Sequence, residues 1–211
     1  MSKAAPTDAG STTGRGTGYH HGNLPAMLEQ AALDLVAEKG AHGFTLAEAS
    51  RRAGVSVAAP FKHYAGKDGL LATLAVRGYR EQARRFAAAV GSVADPVEQM
   101  AQFAAAYVGF AVEEAALFEI TFAAGIDKQA HPELEQAGHE VLEVLQGPAR
   151  ALLPDPVEAL SLIYAVGACA HGFAAFLSQG VFGDPRDHSA AQIEAVKARA
   201  REAARTLAGA Y

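Results

Sequence analysis

Residues 45–71 read TLAEASRRAGVSVAAPFKHYAGKDGLL, and this run decides our prediction of the fold. Thr45 and Glu48 have the spacing of a capping box, in which each side chain bonds the other residue's backbone amide at the start of a helix. Gly54 offers the left-handed conformation that ends a helix, and Ser56 is a good N-cap for another short helix reaching about residue 63. Two short helices joined by a tight turn that contains glycine are the sequence form of a helix-turn-helix.

Helical patterns continue on both sides of this run. Apolar residues at helical spacing predict a helix over 24–39 that ends at Gly40. After a break at 65–68, a long helix is predicted to about residue 90, followed by helices over 96–113, 115–123, 132–153, 156–179 and 187–208. Abundant alanine and few β-branched residues favour helix throughout. We therefore predict an all-α protein of about nine helices, with a disordered arm (1–18), a three-helix helix-turn-helix head (19–86) and a larger body (87–211).

Charge is distributed unevenly between these parts. The whole chain carries a net charge of −5, made up of +4 over residues 1–86 and −9 over residues 87–211. A basic block at one end of an acidic chain indicates a site for a polyanion such as DNA. A chance imbalance on a solvated face is the alternative that charge alone leaves open.

Residues 19–86 closely resemble the DNA-binding head of the TetR family of bacterial transcriptional regulators. The similarity lies in the Thr-initiated helix, the Ala-Gly-Val-Ser turn, the aromatic residue before His-Tyr, and the Lys-Asp and Leu-Leu pairs of the quoted run. Pro60 and Asp68 depart from the family pattern. His171-Gly172-Phe173 is similar to a His-Gly segment of one C-terminal subfamily, although the tryptophan usual there is missing. The resemblance implies a cytoplasmic homodimer that binds inverted-repeat double-stranded DNA and senses a small-molecule effector in its body, without a cofactor.

The resemblance also implies which residues contact DNA. Thr45, Tyr64 and Lys67 resemble residues that contact DNA phosphates in the family. Lys62 and His63 resemble residues that contact the DNA backbone or the edge of a groove. The exposed turn offers Val57, Ala58 and Ala59, which limits direct readout there to thymine methyl groups, with Lys62 the candidate for guanine. The predicted DNA-binding set is Thr45, Ser56, Val57, Ala58, Ala59, Lys62, His63, Tyr64 and Lys67. The alternative for each of these residues is that it caps a helix or is simply solvated. Phe61 is predicted in the core, and Arg15 of the arm is a candidate for a minor groove.

Aromatic and polar-tipped residues cluster on the predicted body helices. A bundle with many rings and a few hydrogen-bonding groups can enclose an apolar pocket, and plain core packing is the alternative. The predicted ligand-binding set is Phe103, Tyr107, Phe110, Phe118, Phe122, Tyr164 and His171. Glu135, His139 and Glu143 have helical spacing that is compatible with a metal site. They lie opposite the apolar face of their helix, so we interpret them as solvated and predict no metal.

Two apolar stripes near the end of the chain predict the dimer interface. Residues 159–183 hold no formally charged side chain, and their abundant alanine and glycine favour close helix packing. Interrupting polar residues and the lack of flanking Lys/Arg argue against a membrane span. The last predicted helix offers the second stripe, with Ile193, Val196, Ala200, Ala203, Ala204 and Leu207. Two such helix pairs would form a four-helix, two-fold interface.

Other function classes find little support in the sequence. The chain has no Gly-x-Ser-x-Gly, P-loop, His-Glu-x-x-His or Cys-x-x-Cys motif, so no enzyme is predicted. Its start lacks the apolar segment of a signal peptide, and the single Cys169 suits a reducing compartment. A ligand-responsive repressor is the main hypothesis. A DNA-binding factor of the same fold that acts without a small ligand is the alternative, and a helical interaction module without DNA is a third class.

Overall fold

The computed structural model describes residues 24–127, 129–184 and 189–210. Within these ranges it has eight α-helices and one 3-10 turn, and no strand. They are α1 (Leu24–Lys39), α2 (Leu46–Arg52), the 3-10 turn (Pro60–Lys62), α3 (Gly66–Val90), α4 (Pro96–Glu113), α5 (Ala115–Ala123), α6 (Pro132–Leu152), α7 (Pro156–Ser178) and α8 (Ala190–Ala208). The all-α prediction is confirmed. The arm over 1–18, Arg15 and the predicted helix start at residue 187 lie outside the described residues.

Local signals start and end the helices of the head. The amide of Glu48 donates to Thr45 Oγ1 at 3.2 Å, and the amide of Thr45 donates to Glu48 Oε2 at 2.8 Å. This completes the predicted capping box at the start of α2. Gly40 and Gly54 both adopt the left-handed conformation, with φ of 77° and 70°. Lys39 donates to Glu48 Oε1 at 2.9 Å, and this bond, with those from Thr45, lowers the pKa of Glu48 to about 2.

The predicted third helix is not an α-helix in the structure. Residues 57–59 form a turn and a bend, and the 3-10 turn covers only Pro60–Lys62. An α-helix capped by Ser56 requires an N–H at residue 60 to bond the carbonyl of Ser56, and proline has none. The Ser56 carbonyl instead accepts from Ala59, three residues on, at 3.0 Å. Pro60 thus replaces one turn of α-helix with tighter 3-10 geometry.

Two core clusters share the long helix α3. The first half of α3 supplies Leu70, Leu71 and Leu74 to a cluster that includes α1, α2 and α5. Its second half supplies Phe86 and Val90 to a cluster built with α4, α6, α7 and α8. At 1.5 Å per residue, its 25 residues span about 37 Å. One continuous helix therefore connects the head to the core of the body.

The apolar stripe of α8 is buried within its own chain. Val196, Ala200 and Ala204 lie in the core cluster of the body, and α8 packs mainly against α4. Arg205 strengthens this contact by donating to both carboxylate oxygens of Glu98, at 2.6 and 3.0 Å. Val196, Ala200 and Ala204 are therefore covered by their own chain, whereas Ile193, Ala203 and Leu207 of the predicted stripe are only half-buried, and a role of this helix in a dimer stays a prediction. The spacing of apolar residues in the sequence shows which face of α8 is buried, but it does not show which helix covers that face.

Helix α7 is apolar on both its buried and its exposed sides. Among the described residues it is the one helix whose length and composition would allow it to cross a membrane. Its buried residues, including Ile163 and Val166, pack in the body core, so one side of α7 belongs to the bundle. On its other side Val157, Leu160 and Phe176 remain exposed.

Candidate DNA-binding head and ligand cavity

The turn after Gly54 presents a continuous exposed surface. Ser56, Val57, Ala58, Lys62 and His63 are exposed, and Ala59 is half-buried. No described residue pairs with the ammonium of Lys62, since neither an ion pair nor a hydrogen bond involves it. These residues remain a predicted DNA-contact set, and the structure brings them together on one side of the head.

Phe61 belongs to this exposed surface rather than to the core. Its side chain is 66% exposed, and that of Val57 is 53% exposed. The prediction of a core position for Phe61 is therefore wrong. The buried residue is its neighbour Pro60.

Tyr64 and Lys67 are engaged inside the head. Tyr64 is only 8% exposed, and its hydroxyl donates to Glu29 Oε1 at 3.1 Å. Burial, followed by the nearby Glu29, raises the pKa of Tyr64. Lys67 donates to the carbonyl of Phe44 at 2.8 Å and lies 4.3 Å from the centroid of its ring, and burial lowers its pKa. Both side chains hold the turn against α1 and the α1–α2 loop. A phosphate contact by Tyr64 would compete with its bond to Glu29, because a phenol has one proton to donate, whereas the ammonium of Lys67 has three and can keep its bond to Phe44.

A cavity of about 700 Å³ lies in the body and opens to solvent where Phe122, Tyr164 and His139 are exposed. Its walls come from α3, α4, α6 and α7, with Phe122 added by α5. Five residues of the predicted ligand set line it, namely Phe103, Tyr107, Phe122, Tyr164 and His171. Most of the remaining wall is aliphatic or aromatic, as apolar ligands require. A cleft of about 750 Å³ over the outer face of α3 is lined mainly by charged side chains, so it does not suit such a ligand.

Tyr107 and His171 form the polar pair of the cavity wall. The hydroxyl oxygen of Tyr107 lies 3.0 Å from Nδ1 of His171, within hydrogen-bonding distance. Burial raises the pKa of Tyr107, so the phenol keeps its proton. Phe118 stacks on the His171 ring, with centroids 5.3 Å apart. Phe118 thus supports the wall from outside the cavity lining.

Phe110 lies away from the cavity. It is 1% exposed and belongs to the core cluster shared with the head, and Arg85 lies 5.7 Å from its ring centroid. Phe103 and Tyr107 take different neighbours, because both pack against Phe86. One helical face of α4 therefore contributes to two different cores.

Helix α6 supplies wall residues that the sequence analysis did not single out. Leu134, Gly138 and Leu142 line the cavity, and the exposed Glu135 and His139 border it. Glu143 is also exposed. The described residues contain no group of three side chains suited to a metal ion. The exposure of Glu135, His139 and Glu143 fits the interpretation of this stripe as solvated.

Two family models match the sequence of this chain. The family model of the bacterial regulatory proteins of the tetR family matches residues 29–74. That of the tetracyclin repressor-like C-terminal domain matches residues 100–206, which is half of the chain. The chain belongs to the TetR family. Its head is therefore a helix-turn-helix DNA-binding fold, and its body is of the family's ligand-binding type.

Solved structures share this TetR fold over nearly the whole chain. A protein of unknown function from Rhodococcus sp. RHA1 is 27% identical, with a TM-score of 0.69 over 92% of this chain and 100% of that one. A tetR-family regulatory protein from Rhodococcus RHA1 is 18% identical, with a TM-score of 0.69 over 87% of this chain and 96% of that one. The transcriptional regulator FadR from Bacillus subtilis, solved in complex with stearoyl-CoA, is 12% identical. Its TM-score is 0.69 over 85% of this chain and 96% of that one. No curated protein sequence matches the chain.

Proposed function

We propose that this chain is a cytoplasmic transcriptional repressor that binds an inverted-repeat operator as a homodimer and is released from it by a small apolar molecule. The continuous helix α3 is the observation that carries the proposal. It begins at Gly66, directly after the exposed turn of the head, and its residues Tyr79, Gln82 and Phe86 form part of the cavity wall. A molecule that fills the cavity therefore touches the helix on which the DNA-binding turn is mounted.

Helix α5 supplies a second connection between cavity and head. Glu119 Oε1 accepts a hydrogen bond from the amide of Ala41, in the α1–α2 loop, at 2.6 Å. On the same helix, Phe122 lines the cavity. A ligand that displaces α5 would therefore act on the loop that leads into α2. A ligand shifts DNA affinity only if it binds one of two arrangements better, and α3 and α5 are the elements that can differ between them.

The exposed turn of the head is the proposed contact with the major groove. Val57 and Phe61 offer apolar contacts for thymine methyl groups, and Lys62 offers a cation for a phosphate or a guanine. Thr45 lies at the N-terminus of α2, where backbone amides and the helix dipole favour a phosphate. Tyr64 and Lys67 act here through their bonds to Glu29 and Phe44, which set the position of the turn.

The substitution Lys62→Gln should weaken DNA binding and its salt dependence together. If Lys62 neutralises one phosphate in each of the two heads of the dimer, the slope of log affinity against log salt should become shallower by about 1.8, or about 0.9 for each head. Fluorescence anisotropy with labelled duplex DNA at several salt concentrations measures both quantities. Arg150→Gln is the matched control, because Arg150 is exposed at the far end of α6 in the body. An unchanged slope in Lys62→Gln with a changed base preference would assign Lys62 to guanine instead.

The exposed side of α7 is the proposed dimer seam. Val157 is 73% exposed, Tyr164 58%, Phe176 48% and Leu160 37%, and four large exposed hydrophobic residues on one helix indicate an interaction surface. Leu160→Glu should convert the dimer into a monomer at micromolar concentration, because it places a charge in an apolar seam. Light scattering measures the mass. A monomeric mass for the unsubstituted protein would contradict the proposal.

A thermal-shift screen of apolar metabolites and drugs tests the ligand-responsive part of the proposal. We expect at least one neutral apolar compound to raise the melting temperature, since a ligand that binds only the folded state stabilises it. The same compound should weaken DNA binding by about 5- to 150-fold, the usual range of coupling between two sites. If no compound raises the melting temperature of the protein or of its DNA complex, the ligand-free DNA-binding factor becomes the better hypothesis.

A further inference from the structure

Tyr164 belongs to two surfaces of the body at once. Its side chain lines the cavity, and it is 58% exposed on the side of α7 that is the proposed dimer seam. Ala168, one helical turn further along α7, is likewise exposed and also lines the cavity. The cavity therefore opens to solvent at the edge of the seam.

This opening leaves an apolar ligand only partly enclosed by a single chain. Sites for small molecules bury roughly 70–90% of the ligand's surface, but Phe122 and Tyr164, two aromatic residues of the wall, are 45% and 58% exposed. His139 of α6 is exposed at the same opening, whereas Tyr107 of α4 is buried. The uncovered part of the wall is thus the side formed by α5, α6 and α7.

A second copy of this chain is the occupant that fits the seam. Residues 159–183 contain no Lys, Arg, Asp or Glu, so two copies of this stretch can pack together without burying a charge. The exposed stripe has small residues near its centre, Ala168 and the half-buried Gly172, and larger apolar ones toward its ends, Leu160 and Phe176. No heavy atom lies within 4 Å of a Cβ added to Gly172, which leaves room for a helix of the other copy to approach closely.

We propose that the second copy in the dimer covers this opening and supplies the missing wall of the cavity, so that an apolar effector is enclosed only in the dimer. The inference rests on the proposed function, since it requires both the effector cavity and the α7 seam. Dimer formation and effector binding are then linked, because the free energy by which the dimer favours the effector equals that by which the effector favours the dimer. An effector in this place touches the seam that sets the relative position of the two heads.

Leu160→Glu tests the link without changing the cavity, because Leu160 lies on the seam but outside the cavity lining. Its matched control is Ala88→Glu, which places the same charge on the exposed side of α3. The probe is prodan, a neutral apolar naphthalene dye whose emission moves to shorter wavelength in dry surroundings. Titrations of the full chains with prodan at micromolar concentration give the affinity, and light scattering gives the mass. We expect Leu160→Glu to be monomeric and to bind prodan about 10-fold more weakly than Ala88→Glu, because leaving about 60 Å² of apolar surface in water costs roughly that factor.

A pair of tryptophan reporters tests the cover directly, even if Leu160→Glu fails to fold. The chain has no tryptophan, so Tyr164→Trp and Phe61→Trp each introduce a single indole, at the cavity opening and on the head. The two positions are similarly exposed in one chain, at 58% and 66%. In the ligand-free dimer, we expect acrylamide to quench Tyr164→Trp much less than Phe61→Trp, and the emission of Tyr164→Trp to lie at shorter wavelength.

The results separate this inference from the proposed function. If Leu160→Glu is monomeric and still binds prodan as tightly as Ala88→Glu, the cavity is complete in one chain, and the inference is wrong while the seam and the effector cavity stand. Equal quenching of Tyr164→Trp and Phe61→Trp in the dimer would also overturn it, and this pair decides if Leu160→Glu stays dimeric. If the unsubstituted protein is monomeric or does not bind prodan, the proposed function loses its dimer or its effector cavity, and the inference falls with it.

Discussion

The substitution Gly138→Trp should abolish the ligand response and leave ligand-free DNA binding intact. Gly138 lines the cavity from α6, and a Cβ added there meets no heavy atom within 4 Å. An indole can therefore grow into the open space, where a buried aromatic side chain removes roughly 150–250 Å² of surface from water. The coupling of about 5- to 150-fold expected for the unsubstituted protein should fall to nearly 1-fold. DNA affinity measured with and without a compound from the thermal-shift screen gives this ratio.

Gln136→Trp is the matched control on the same helix. Gln136 is exposed and lies outside the cavity lining, so the same indole there should leave both DNA affinity and ligand release unchanged. A Gly138→Trp protein that is still released from DNA by the same compound would place the effector site elsewhere.

The substitution Phe86→Ala should produce the largest loss of stability in the body. Phe86 is 1% exposed, and its ring centroid lies 4.9 Å from that of Phe103 and 5.8 Å from that of Tyr107. Truncation removes these contacts and enlarges a cavity that already exists, which should lower the free energy of unfolding by about 3–5 kcal/mol. Urea denaturation followed by circular dichroism measures the change.

Phe61→Ala should have the opposite effect, with little change in stability and a loss of DNA affinity. Because Phe61 is 66% exposed, its truncation should change the free energy of unfolding by less than about 0.5 kcal/mol. Its DNA affinity should fall, because the proposed contact surface loses its largest apolar side chain. A strongly destabilised Phe61→Ala protein would indicate that this side chain packs in the folded head.

Local signals in the sequence were sufficient to predict most of the helices. The capping box of Thr45 and Glu48 and the left-handed Gly40 and Gly54 act within a few residues, so their positions in the sequence specify the helix ends. The predicted bounds of the helices over 24–39, 96–113 and 115–123 agree with α1, α4 and α5. The ring cluster of α4, α5 and α7 was predictable from the helical spacing of its aromatic residues, but the exposure of Phe122 and Tyr164 was not.

Features that depend on contacts between helices were harder to predict. The stripe of Val196, Ala200 and Ala204 has the pattern of any buried face, and only packing shows that α4 covers it. Phe61 looks like a core residue until Pro60 is known to take the buried position. Gln82 belongs to no motif, and only the packing of α3 shows that its Nε2 is buried without a hydrogen bond among the described residues.

Selection from a pool of random duplex DNA tests the central claim most directly. The account predicts enrichment of an inverted repeat whose half-sites lie one helical turn, about 10–10.5 base pairs, or a multiple of it apart, because two heads related by two-fold symmetry must reach the same face of the duplex. The enriched duplex should bind two chains, and Lys62→Gln should weaken its binding. Enrichment of a single asymmetric half-site bound by one chain, or no enrichment at all, would contradict the account.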